Sequence, residues 1–206
     1  MRLERSQRAV LGLVVGMALS LGAVLPSVAD ASAPPPLTLT GVTLSGTSSS
    51  GNSPSCPTAT YAVSGTATGA YPGTFVESGP LTMTQFGATF TITSGSMLVT
   101  GTKAFPFSTC SAIPNGSFGI GLGAAQYTAT IHTPSGNFHD EGVSALSLSI
   151  TGSEATLAHE TYTSSLTQPV LIVPTHKDQC KDGGWRNYPQ FKNQGQCVSF
   201  VEHQGK

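Results

Sequence analysis

Charge is what this sequence has least of: only 9% of its residues are Asp, Glu, Lys or Arg, against about 25% in ordinary soluble domains. With a formal net charge of −1, it has no bulk electrostatic attraction for nucleic acid or anionic membrane. Between Ala9 and Pro174 one residue, Lys103, is the sole Lys or Arg. Also missing are the local signatures of common enzyme classes. There is no Gly-x-Ser-x-Gly elbow, no phosphate-binding glycine loop and no His-Glu-x-x-His helix. The four cysteines never stand at Cys-x-x-Cys spacing, which argues against a dithiol redox site and a four-cysteine metal site. No cofactor or metal is expected. After the N-terminus no long apolar run recurs, so no membrane span is expected in the mature chain.

The N-terminus itself is strongly patterned. Arg2, Arg5 and Arg8 precede a charge-free stretch from Ala9 to Pro26, which reads as a signal peptide. Small residues place the cut after Ala29 or after Ala31, while a cut after Ala33 would leave Pro34 first. The expected organisation is a signal peptide over 1–31, a β domain over 32–173 and a stapled tail over 174–206. The protein is expected to be secreted, and to be extracellular or held at the cell surface.

From Leu37 to Val173 apolar residues alternate with Thr and Ser, the period of half-buried strands. Ala88, Phe90 and Ile92 share one face of the clearest segment, and Tyr127-Thr-Ala-Thr-Ile131 and Leu146-Ser-Leu-Ser-Ile150 repeat the pattern. The alternation slips at Gly41, which predicts a β-bulge. About nine such segments, separated by Gly, Pro, Asn and Ser, predict an all-β body, an antiparallel β-sandwich or barrel. Gly73-x-Phe75-x-Glu77-x-Gly79 recurs as Gly136-x-Phe138-x-Asp140-x-Gly142, each after a proline-led turn. Two equivalent hairpins would account for this repeat.

Beyond Pro174 the composition changes, with Lys177, Lys181, Arg186, Lys192 and Lys206 crowded into the last 32 residues. Thr175 is placed to cap a short helix reaching Asp182 with Gly183 just past its end, and a second is expected from about Asn193 to Val201, with Cys197, Phe200 and Val201 on one face. Helices this short need stapling or docking. Four cysteines in an exported chain read as two disulfides. The expected pairs are Cys56–Cys110 in the body and Cys180–Cys197 in the tail.

The tail carries Cys180-x-x-Gly183-Gly184-Trp185 and Phe191-x-Asn193-Gln194-Gly195-x-Cys197-Val198. It resembles a C-terminal segment of uncharacterised secreted β-rich proteins of Gram-positive and related bacteria. The body, around Ser64–Phe75 and Ala88–Thr93, is similar to such proteins more loosely. The resemblance implies export, a β fold and the tail disulfide, and it carries over no catalytic residue.

Two kinds of function are open. Trp185, Arg186, Tyr188 and Phe191 lie inside the loop that Cys180 and Cys197 would close, and aromatic and arginine side chains on a rigid loop are what contact surfaces use. A non-enzymatic β module with that loop as its binding surface, its partner a cell-wall or other extracellular polymer, is the first reading, with Trp185 mainly a packing residue. The second is a secreted hydrolase or metalloenzyme using His132, His139 and Asp140, with Glu141, His159 and Glu160 nearby. It requires those side chains to converge.

Overall fold

Alternation of apolar residues with Thr and Ser gives each strand one face suited to a core and one suited to water. Eight strands resolve this by rolling into a closed antiparallel barrel. The computed structural model describes the backbone of residues 32–50, 59–81, 86–105, 108–113, 117–122, 124–151 and 154–204, and the side chains of 32–42, 62–80, 87–104, 124–145 and 160–204.

The strands are β1 (Leu39–Ser50), β2 (Ala59–Gly69), β3 (Gly73–Leu81), β4 (Phe86–Ser94), β5 (Met97–Phe105), β6 (Ser108–Ile113), β7 (Ser117–Leu122), β8 (Ala125–Thr133), β9 (Gly136–Thr151), β10 (Glu154–Ser164) and β11 (Val170–Leu171). The ring runs β1-β2-β3-β4-β5-β8-β9-β10 and closes where β10 pairs with β1. The β6–β7 hairpin stands outside the ring on the far half of β9, and β11 pairs with its beginning, at Phe138 and His139. Of the two all-β architectures the sequence allowed, the barrel is the one formed. The bulge expected at Gly41 is present, since the pairing of β1 with β2 slips between Leu39 and Gly41.

The predicted inner faces of β4 and β8 are buried, while the Leu146–Ile150 side chains lie outside the described residues. Ala88, Phe90 and Ile92 point inward, as do Tyr127, Ala129 and Ile131. Phe75, Phe90, Tyr127 and Tyr162 fill the centre, with Phe75 and Phe90 stacked 6.0 Å apart and Phe90 and Tyr162 tilted at 5.1 Å. Gly101 makes this possible, because a Cβ there would stand 2.3 Å from Cζ of Phe90. The β2–β3 and β8–β9 hairpins of the sequence repeat occupy opposite sides of the eight-strand ring. Phe75 and Glu77 on one, Phe138 and Asp140 on the other, all face inward.

One end of the barrel is covered by the chain leading into β1. Pro34 and Leu37 are buried there. The Tyr71 hydroxyl donates to the Pro35 carbonyl, and the Leu37 amide donates to Asp140 Oδ2 at 3.2 Å.

The tail is built around the Cys180–Cys197 disulfide. Its elements are 3-10 turns at Lys177–Cys180 and Gly184–Asn187 and helix α1 (Gln194–His203), capped by the Asn193 side chain, which accepts from the Gln196 amide. The first helix expected from the sequence is shorter than its pattern suggested. His176 rather than Thr175 holds the cap position, and the Gln179 side chain accepts from the Thr175 amide and hydroxyl and the His176 amide. Gly183 has φ of 86°, the left-handed geometry that glycine supplies. Cys56 lies outside the described residues, and of Cys110 only the backbone is described, so the Cys56–Cys110 pair falls outside them too.

Candidate functional site

The body's few charges are concentrated where charge is most costly. Its carboxylates are Glu77, Asp140, Glu141, Glu154 and Glu160, and its only Lys or Arg is Lys103. Glu77, Asp140, Glu160 and Lys103 are all buried in the barrel interior. Lys103, on β5, pairs with Glu77 of β3 and with Glu160 of β10, and all three side chains are 0% exposed. Its ammonium lies 5.2 Å from the ring centre of Tyr162 and 5.9 Å from that of Phe90, and Ser144 donates to Glu160 Oε1 at 2.6 Å. Charges withdrawn from water survive only when paired and hydrogen-bonded.

Asp140 organises a second polar group at the covered end. Its carboxylate accepts from the Leu37 amide, from the Tyr127 hydroxyl at 2.8 Å and from the Ser164 hydroxyl at 3.1 Å. Burial pushes the Tyr71 and Tyr127 hydroxyls far above their ordinary value of 10.0, and the neighbouring Asp140 pushes both further. The folded state therefore keeps protons that the unfolded chain releases near pH 10. The stabilisation from these two groups is complete below pH 10 and is lost as pH rises beyond it, at about 1.4 kcal/mol per group for each pH unit. Denaturant melts at about pH 8 and about pH 11 should show this loss, with tyrosinate absorbance from Tyr71 and Tyr127 appearing only as the barrel unfolds.

The outer wall is different in kind. Adjacent residues of a strand point to opposite sides of the sheet, so His132 and His139 lie outside while Asp140 lies inside. His132 contacts the Thr100 hydroxyl and Asn137, and His139 stands 3.3 Å from Glu141. The three residues of the hydrolase or metalloenzyme reading are therefore split between two faces and do not converge. Glu160, considered with them, belongs to the interior lysine. Among the described residues no group of three or more His, Cys, Asp and Glu is placed to hold a metal ion.

Across β4, β5 and β8 the outward positions form a threonine lattice. Thr89, Thr102 and Thr128 are paired in one row, and Thr91, Thr100 and Thr130 in the next. With His139 they line a shallow depression of about 560 Å³. The Thr102 and Thr128 hydroxyls are 3.1 Å apart. Val76, opposite Thr91, and Leu98, opposite Thr93 and His132, border the lattice and are 47% and 40% exposed.

The tail docks at the start of β9 and on the segment that follows β11, where Asn137 Nδ2 donates to the Asn187 carbonyl and Gln190 Nε2 to that of Ile172. Its four candidate residues divide in role. Phe191 is buried with Cys180 and Cys197 and forms the tail's own core. Trp185 and Tyr188 are half-buried against that core, and Arg186 is exposed with its guanidinium 5.2 Å from the Trp185 ring centre. No family model matches the chain, and neither a curated protein nor a solved structure matches it.

The interior charges had a sequence signal. Glu77 stands two residues from Phe75, Asp140 two from Phe138, Glu160 two from Tyr162 and Lys103 four from Val99, which puts each on the apolar face of its strand.

Proposed function

We propose that the protein is a secreted, non-enzymatic β-barrel module that binds a neutral extracellular polysaccharide on the outer wall formed by β4, β5 and β8. The uncharged, hydroxyl-lined depression at Thr89, Thr91, Thr100, Thr102, Thr128 and Thr130 carries this reading. Threonine offers a hydroxyl for sugar hydroxyls and a methyl for the apolar faces of pyranose rings, and Val76 and Leu98 extend the apolar border. A neutral partner fits because the depression's lining holds no Lys, Arg, Asp or Glu, and its one titratable side chain, His139, is already engaged by Glu141.

Two further features support an extracellular, water-facing role. The charge-free N-terminal run precedes the β body as an export signal would. Among the described residues the barrel's aromatic side chains are inside and the threonines of β4, β5 and β8 outside, the reverse of a barrel bathed in lipid. Arg186 is exposed on the tail and stacks on Trp185, and with the exposed edges of Trp185 and Tyr188 it would offer a second contact surface.

Co-sedimentation with insoluble cellulose, chitin and β-1,3-glucan tests this. Thr102 is exposed at the centre of the lattice, so Thr102→Arg leaves the barrel intact while filling the depression. The wild-type protein should sediment with at least one of these polymers, and the variant at least about tenfold more weakly, a loss of about 1.4 kcal/mol. Equal sedimentation by a folded Thr102→Arg protein would place the binding surface elsewhere.

A further inference from the structure

The Lys103 cluster has the composition of a reaction centre as well as of an ion-pair network. It holds a buried primary amine, a carboxyl group in contact with it and a second carboxyl beside both. We propose that Lys103 and Glu160 condense after folding into an intramolecular amide that ties β5 to β10 across the barrel, with Glu77 carrying the protons.

Each participant has a defined place. Lys103 Nζ contacts Glu160 Oε1 and Glu77 Oε2. The Ser144 hydroxyl donates to the same Glu160 Oε1 at 2.6 Å, which polarises the carboxyl toward attack and holds this oxygen as it becomes the amide carbonyl. Glu160 Oε2 is buried and accepts no hydrogen bond from any described residue. A buried acceptor without a donor is costly, and this is the oxygen that amide formation removes. Fixed contact in an enclosed site supplies the proximity that an amine and a carboxyl lack in water.

The step balances without any added reagent. In surroundings where neither charge is solvated, a proton passes from the Lys103 ammonium to Glu160, giving a neutral amine and a neutral acid. The Nζ lone pair attacks Cδ of Glu160 and the N–C bond forms. Glu77 takes a second proton from that nitrogen and delivers it to the hydroxyl at Oε2. The Cδ–Oε2 bond breaks, and Oε2 departs as water. The net change is ammonium plus carboxylate to amide plus water, and Glu77 ends as it began.

The sequence provides an unusually clear readout. Lys103 is the only trypsin site between Arg8 and Lys177. After reduction and denaturation, the purified protein should weigh one water less than its sequence requires. Trypsin should leave the chain uncut from its mature N-terminus to Lys177, and tandem mass spectrometry should find Lys103 branched to Glu160. Glu77→Gln, folded by circular dichroism, should regain the missing water and the cut after Lys103. A wild-type protein of full mass that trypsin cuts after Lys103 would overturn the proposal, as would a branch to Glu77. Complete water loss in Glu77→Gln would overturn the role assigned to Glu77.

Discussion

Lys103→Met should lower the stability of the barrel by about 3–5 kcal/mol, measured by denaturant unfolding. The loss comes less from the missing attraction than from what remains. Glu77 and Glu160 are 0% exposed, and without the lysine two buried carboxyl groups share one dry space with no cation. The aromatic rings of Phe90 and Tyr162 would lose the lysine nitrogen they flank and gain a methionine they can pack against, so shape is nearly conserved and what is lost is the partner of the two carboxyl groups, together with its tie to Glu160. Replacing all three members together, as Glu77→Leu, Lys103→Met and Glu160→Leu, should recover the part of the loss that comes from stranded carboxyl groups, because an apolar cluster of similar volume leaves no buried charge unpaired, and should not recover the part that comes from the Lys103–Glu160 tie. A single Lys103→Met that melts like the wild type would show that the cluster is not dry.

The second large effect is expected at the covered end. Asp140→Ala removes the acceptor for the Leu37 amide, the Tyr127 hydroxyl and the Ser164 hydroxyl. A buried donor left without a partner costs about 1–3 kcal/mol. The buried Leu37 amide loses its acceptor, while the Tyr127 hydroxyl keeps the Leu37 carbonyl at 3.3 Å, so a total of about 1–3 kcal/mol is expected. The change has a local signature that general destabilisation lacks. Leu37 and Pro34 cover the barrel end, and with Asp140 gone the segment over 32–38 should become open to protease before the barrel unfolds. Asp140→Asn keeps one acceptor oxygen, and should hold the segment better than Asp140→Ala. Equal protection of residues 32–38 in wild type and Asp140→Ala would assign the covering of that end to packing alone.

What was legible in the sequence follows from how far each signal travels along the chain. Period-2 alternation is local, so the inner faces of β4 and β8 could be read directly. The bulge at Gly41 could be read from one displaced residue. The choice between sandwich and barrel could not, because it depends on whether β10 meets β1, a pairing of Tyr162 with Leu39 across more than half the chain. The same distance hid the charge cluster. Glu77, Lys103 and Glu160 each announce an inward position by parity with an apolar neighbour, but only ring closure brings them together. The repeat at Gly73 and Gly136 was visible as sequence, while its meaning, two hairpins facing each other across one barrel, needed the strand order.

The candidate site is less legible for a related reason. His132, His139 and Asp140 attract attention because they are close in sequence, yet strand geometry sends Asp140 through the wall and leaves the histidines outside. Thr89, Thr102 and Thr128 carry no signal as a group in the sequence, since each belongs to a different strand. Pairing assembles them into one surface. In the tail, the loop that groups Trp185, Arg186, Tyr188 and Phe191 was apparent, but its 3-10 turns and α1 draw Phe191 into the core and leave Arg186 exposed.

The most direct test of the binding surface is an amide chemical-shift titration with soluble oligosaccharides cut from whichever polymer the protein sediments with. The threonine-wall account predicts shifts at Thr89–Thr91, Thr100–Thr102 and Thr128–Thr130, with little change at Thr66 and Thr68 on the far side of the ring. Saturable binding whose shifts leave β4, β5 and β8 unchanged would contradict it.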